Sequence, residues 1–77
     1  MGEKYKDRLI KLGLTIAYHR KLKGLTQEQL AEKAKVGRAH LGHIEATNMF
    51  TGVSVKTLYA IADALEISIT DLFDFKS

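Results

Sequence analysis

LTQEQLAEKAKVGRAHLGHI, residues 25–44, reads as two short helices joined by a tight turn, with apolar residues only where the helices would touch. Thr26 begins a Thr-Gln-Glu-Gln run, a capping box in which the Thr26 side chain accepts from the Gln29 amide while Gln29 reaches back. Leu30, Ala31 and Ala34 then share one face at i, i+1 and i+4 spacing. Val36 falls in the turn, and Leu41 and Ile44 form a second apolar stripe three residues apart. Ala31 carries most weight, because a small side chain lets two helices cross steeply at close range. The opposite face of the second helix, with Arg38, Ala39, Gly42 and His43, is free of core duty. One helix of such a pair is able to enter a DNA major groove.

Outward from this stretch the pattern stays helical. Residues 1–6 are expected to form a flexible arm, and a helix is expected from near Asp7 to Lys23 with Leu9, Leu12, Ile16 and Ala17 facing inward. Gly24 supplies the left-handed stop. Residues 27–34 and 38–45 make the two helices of the motif. Ser54 caps a fourth helix with Leu58, Ile61, Ala62 and Leu65 at i, i+3, i+4 and i+7 spacing. Ser68 opens a short fifth helix that ends near Phe73. The expected fold is all-α, five helices around one core, with residues 7–77 as the single domain.

Seventy-seven residues suffice for one modest core. Hydrophobic residues at 45% with charged residues at 27% describe a folded, soluble chain. No apolar run approaches the roughly 18 residues of a membrane span, and the Lys- and Glu-rich start does not resemble a secretory signal. The absence of cysteine removes disulfides and thiolate metal sites and fits a cytoplasmic location. The net charge of +3 hides an asymmetry: residues 1–56 carry eleven Lys/Arg against five Asp/Glu, whereas residues 57–77 carry one Lys against four acids. A basic front with an acidic back suits a protein that meets a polyanion on one side.

The quoted stretch resembles the DNA-binding domain of the Cro/phage-repressor (xenobiotic-response-element) helix-turn-helix family. The likeness runs from about Leu12 to Phe73. Gly13, Ile16, Arg20 and Gly24 fit the family's first helix, Leu25-Thr26-Gln27 its usual second-helix opening, and Ile44-Glu45 the close of its recognition helix. Leu58 to Phe73 matches its LxxIAxALxxSxxxLF ending. The resemblance implies a compact lambda-repressor-like bundle, a phosphate-clamping role for Gln27, and an ion pair from Arg20 to Glu45 that fixes the angle of the recognition helix. It also marks departures. Lys35 and Glu66 stand where the family commonly has a left-handed glycine, and each costs about 1 kcal/mol if the backbone is unchanged. Gly37 replaces the usual Ser or Thr cap, which leaves room for the turn to have moved its flexible residue.

The candidate DNA contacts follow from position. Thr26 and Gln27 stand at the start of the second helix, where a side-chain amide and exposed N–H groups suit a phosphate oxygen. Gly37 is the N-cap of the third helix and Arg38 its first residue, placed either to pair with guanine O6 and N7 or to bind phosphate alone. Ala39 suits a thymine methyl, and His43 lies one turn further on the same face. His40 projects nearer the flank. Gly42 breaks the rule against glycine inside helices, through either close approach of DNA or tolerated drift. The loop after Glu45 lacks the usual Lys/Arg, so phosphate grip there falls to Thr47, Asn48, Thr51 or backbone. Met49 and Phe50 are left to fold on the core, join a dimer contact or press on the DNA sugar edge.

Other chemistries fare poorly. His40 and His43 with the distant His19 do not make a four-ligand zinc site. Nothing marks an activated nucleophile, so the chain is not expected to be an enzyme or to need a cofactor. No membrane or small-molecule partner is evident, and no second domain is expected to sense a ligand. The reading is a sequence-specific double-stranded DNA-binding regulator, a repressor acting on a palindromic operator as a homodimer. Ile69, Leu72, Phe73 and Phe75 form the candidate dimer surface, against simple core closure. The alternative is an antitoxin-like protein-interaction module with secondary DNA binding. An architectural binder without sequence preference is the weaker third.

Overall fold

The computed structural model describes residues 2–46 and 52–74, with side chains from Tyr5 onward. These residues form five helices and no strand: α1 (Gly2–Leu22), α2 (Gln27–Ala34), α3 (Arg38–Glu45), α4 (Val55–Leu65) and α5 (Ile69–Leu72). None is long and apolar enough to cross a membrane.

The local signals that start and stop helices act as the sequence requires. Thr26 closes its capping box, accepting from the Gln29 N–H at 3.1 Å while its own N–H donates to Gln29 Oε1 at 2.8 Å. Ser54 caps α4 and Ser68 caps α5, the latter answered by Asp71. Such caps are worth about 1 kcal/mol each. Three helices end in one motif. After α1 the Leu25 N–H donates to the Arg20 carbonyl, after α2 Val36 to Ala31, and after α4 Ile67 to Ala62, each at 3.0–3.1 Å. The left-handed residue is Gly24 (φ 71°) after α1, Lys35 (φ 59°) after α2 and Glu66 (φ 61°) after α4. The chain therefore keeps the turn without the glycine at two of three places. Gly37 has an ordinary φ of −64°, so the flexible residue of the turn has not moved there.

α1 starts at Gly2 rather than near Asp7, and residues 2–6 continue the helix instead of standing apart from it as an arm. No glycine or proline interrupts residues 3–12. The Arg8 guanidinium lies 5.9 Å from the centre of the Tyr5 ring.

The core is one cluster drawn from every helix: Leu12 and Ile16 from α1, Leu30, Ala31 and Ala34 from α2, Leu41 and Ile44 from α3, Leu58, Ile61, Ala62 and Leu65 from α4, and Leu72 from α5. Leu9 and Ala17 are only half-buried at its margin. α2 packs on α3 and α4, while α1 lies across α3 and touches α4 and α5. Leu72 is fully buried, so it closes the core and does not belong to a dimer surface. The short α5 has one apolar side, and that side is spent on α1 and α4. Phe73, half exposed, remains outside, and Ile69 packs partly against the core. Phe75 lies outside the described residues.

Candidate nucleic-acid interface

α3 is held from behind by two seams. The first is steric. A Cβ built on Gly13 in α1 would collide with the Ile44 carbonyl oxygen and come within 3.1 Å of the Ile44 carbonyl carbon and 3.2 Å of Glu45 Cα. All three are backbone atoms of α3, so only glycine allows α1 to approach this closely. Read along the chain, Gly13 has no role beyond its fit to a family pattern. Its packing role was invisible because it depends on a helix thirty residues away.

The second seam is polar. Arg20 Nε donates to Glu45 Oε2 at 2.9 Å, and Nη2 donates to Glu45 Oε1 at 3.0 Å. The remaining arm, Nη1, donates to the Leu25 carbonyl at 2.8 Å. Gln27 Nε2 donates to Glu45 Oε1 at 2.9 Å. The side chains of Arg20 and Glu45 retain only 11% and 4% of their exposure, so this bidentate pair is shielded from solvent and well satisfied. One carboxylate at the end of α3 thus ties α1, the turn after it and the start of α2. The ion pair implied by the family resemblance is present, and Gln27 joins it.

The front of α3 has the opposite character. Arg38, Ala39 and His43 are exposed, His40 and Gly42 are half-buried, and the N-cap Gly37 contributes no side-chain bond. Neither the Arg38 side chain nor the imidazole of His40 or His43 forms a hydrogen bond or ion pair among the described residues. Thr26 and Gln27 lie beside this face: Gln27 Oε1 is 3.8 Å from the point where a Gly42 Cβ would sit. The tie to Glu45 occupies one hydrogen of the Gln27 amide and leaves the other, with the first N–H groups of α2, available to an anion. The structure therefore brings Gln27, Arg38 and Gly42 together and keeps Ala39 and His43 on the same open side of α3. Thr47 and Asn48, with Met49, Phe50 and Thr51, fall outside the described residues.

A feature the sequence reading missed lies on the far side of α1. Leu14, Tyr18 and Leu22, at i, i+4 and i+8, are 48%, 60% and 65% exposed. With Asp71 and Asp74 they line a shallow groove between α1 and the end of α5. The i+4 spacing is legible, but the sequence reading leaves Leu14, Tyr18 and Leu22 outside the inward stripe of α1 and without a role.

A small helical bundle that mounts one helix of a helix-turn-helix pair with its outer face bare defines a class, and the comparisons agree. The helix-turn-helix family model matches residues 16–72, and the chain belongs to that family, in its Cro/C1-type branch. The HTH-type transcriptional regulator SinR of Bacillus subtilis strain 168 is 37% identical over 65 residues, covering 84% of this chain and 58% of SinR. The regulator SlrR of the same organism is 36% identical over 63 residues, covering 82% and 41%. The chain thus spans little more than half the length of SinR and less of SlrR. Among solved structures, the restriction-modification controller protein C.AhdI of Aeromonas hydrophila superposes with a TM-score of 0.82 at 33% identity, over 87% of this chain and 98% of that one. The SinR protein/SinI protein complex gives 0.75 at 36% identity, over 82% of this chain and 60% of the matched one.

Proposed function

We propose that this protein binds double-stranded DNA in a sequence-dependent way and regulates transcription, with α3 entering the major groove. The observation that carries this reading is the asymmetry of α3: its back is fixed to α1 and α2 by the Gly13 contact and the Glu45 hub, while its front presents Arg38, two imidazoles and small side chains that have no side-chain partner among the described residues. Arg38 pairs with a base, guanine being its natural bidentate match, and Ala39 and His43 extend the reading surface. Thr26, Gln27 and the N–H groups at the starts of α2 and α3, Gly37 included, bind phosphate and set the register. His40 contacts the backbone at the flank, and Thr47 and Asn48 continue the phosphate grip. Residues 7–77 form the binding unit, extended by the first turn of α1, and the working location is the cytoplasm.

Selection of bound sequences from a random duplex pool tests this reading. It is expected to recover a defined site whose affinity falls steeply with salt. Recovery of no preferred sequence would reduce the protein to an architectural binder, and no salt-dependent binding would remove the DNA reading.

The protein acts as a homodimeric repressor on a palindrome, because a single small helix-turn-helix unit reaches only one half-site and two units span half-sites about 34 Å apart. Exposed Phe73 is the described residue of the C-terminal seam. Phe73→Glu is expected to lower affinity for a palindromic duplex far more than for a half-site. Sedimentation with a half-site titration measures both. An unchanged dimer would move the seam elsewhere.

The protein-interaction alternative draws support from the exposed Leu14-Tyr18-Leu22 stripe, an apolar face larger than a solvated helix needs. Unlike the regulator reading, it predicts that stripe variants lose a protein partner while DNA binding is unaltered.

A further inference from the structure

Gly42 stands inside an eight-residue helix, where glycine is the poorest residue short of proline, and a side chain added there would meet the tip of Arg38. A Cβ at this position would lie 2.9 Å from Arg38 Nη1 and 3.8 Å from Gln27 Oε1. The Arg38 guanidinium thus occupies the space that any other residue's side chain would fill, one helical turn beyond its own Cα. Among the described residues no ion pair holds it there. What bounds the space is the bare backbone at Gly42 on one side and the Gln27 amide on the other. Gln27 is itself fixed by its 2.9 Å bond to Glu45, which Arg20 grips in turn.

We infer that Gly42 is a positioning residue for Arg38: its missing side chain forms a seat that lays the guanidinium along α3 against Gln27, so that the arginine meets DNA from a limited set of directions. The inference rests on the DNA-binding reading above and deepens it. The seat links base recognition to the buried Glu45 hub, because a shift of Gln27 would open one wall. It differs from direct approach of DNA to the Gly42 backbone in one respect: the glycine matters only while Arg38 is present.

The test compares the full chain with Gly42→Ala, Arg38→Ala and the double variant. In the DNA-free protein, the Arg38 Nε–Hε signal of the nitrogen-15-labelled chain is expected to move in Gly42→Ala, with backbone signals away from α3 unchanged. In random-pool selection, Gly42→Ala is expected to lose preference, on the order of tenfold, at the same base position that Arg38→Ala loses. The double variant is expected to bind as Arg38→Ala alone does. Additive losses in the double variant would assign the glycine to direct DNA approach and overturn the seat. An Arg38 signal unmoved by Gly42→Ala would overturn it without reference to DNA. A parent that binds no duplex would sink the DNA reading, and the side-chain signal would still decide the seat.

Discussion

The two faces of α3 are built on opposite principles although they share eight residues. The back face, with Leu41, Ile44 and Glu45, is buried and every polar atom on it is matched. The front face, with Arg38, Ala39 and His43, is exposed and makes no ion pair among the described residues. The difference teaches how a very small domain presents a helix rigidly. Stability is concentrated behind the helix, in contacts that tolerate little change, so the front needs none and its residues are free for recognition. Substitutions behind α3 should therefore cost folding, and substitutions in front should cost only binding.

The largest effect is expected at the hub. Glu45→Ala leaves the buried Arg20 guanidinium without its carboxylate and frees Gln27, and loss of one partner of a shielded pair costs roughly 3–5 kcal/mol. Urea denaturation is the measurement. A loss below about 1 kcal/mol would mean that the pair behaves as a surface bridge and that the back of α3 is held by packing alone.

Gly13→Ala comes next. The added methyl meets the Ile44 carbonyl, a backbone atom that cannot swing aside, so α1 and α3 must separate. Alanine's better helix propensity offsets about 1 kcal/mol, and overpacking is expected to leave a net loss of about 2 kcal/mol. DNA affinity should fall with stability because α3 is displaced as a body. A variant with parental melting and parental binding would refute the tight α1–α3 approach.

Arg38→Ala probes the front. Thermal unfolding is expected to stay within about 0.5 kcal/mol of the parent, while affinity drops by about 1–3 kcal/mol with relaxed preference at one base pair. Should melting fall instead, the two faces would not be separable in the way described.

The smallest effect lies off both faces, in the turn between α2 and α3. Lys35 holds a left-handed backbone, and Lys35→Gly removes that strain, with an expected gain of about 1 kcal/mol. Binding at moderate salt should change little. No gain in stability would show that the lysine side chain repays its conformation elsewhere.

Much of this was legible in the sequence because its causes are local. The limits of α2 and α3, the caps at Thr26, Ser54 and Ser68, and the stop at Gly24 follow from hydrogen bonds within a few residues of each signal. The apolar stripes of α2, α3 and α4 marked their buried faces correctly for the same reason. Errors fell where composition alone had to decide. Residues 2–6, expected in an arm, continue α1; Leu72, offered to the dimer surface with core closure as the alternative, closes the core.

The helices, their order and the family follow from the chain alone, since periodicity and capping are properties of one or two turns. Why Gly13 must be glycine, what Gln27 is tied to and where the Arg38 side chain rests emerge only once the helices pack. Each depends on an atom from another helix or another turn arriving within about 3 Å, a distance that no pattern along the chain encodes.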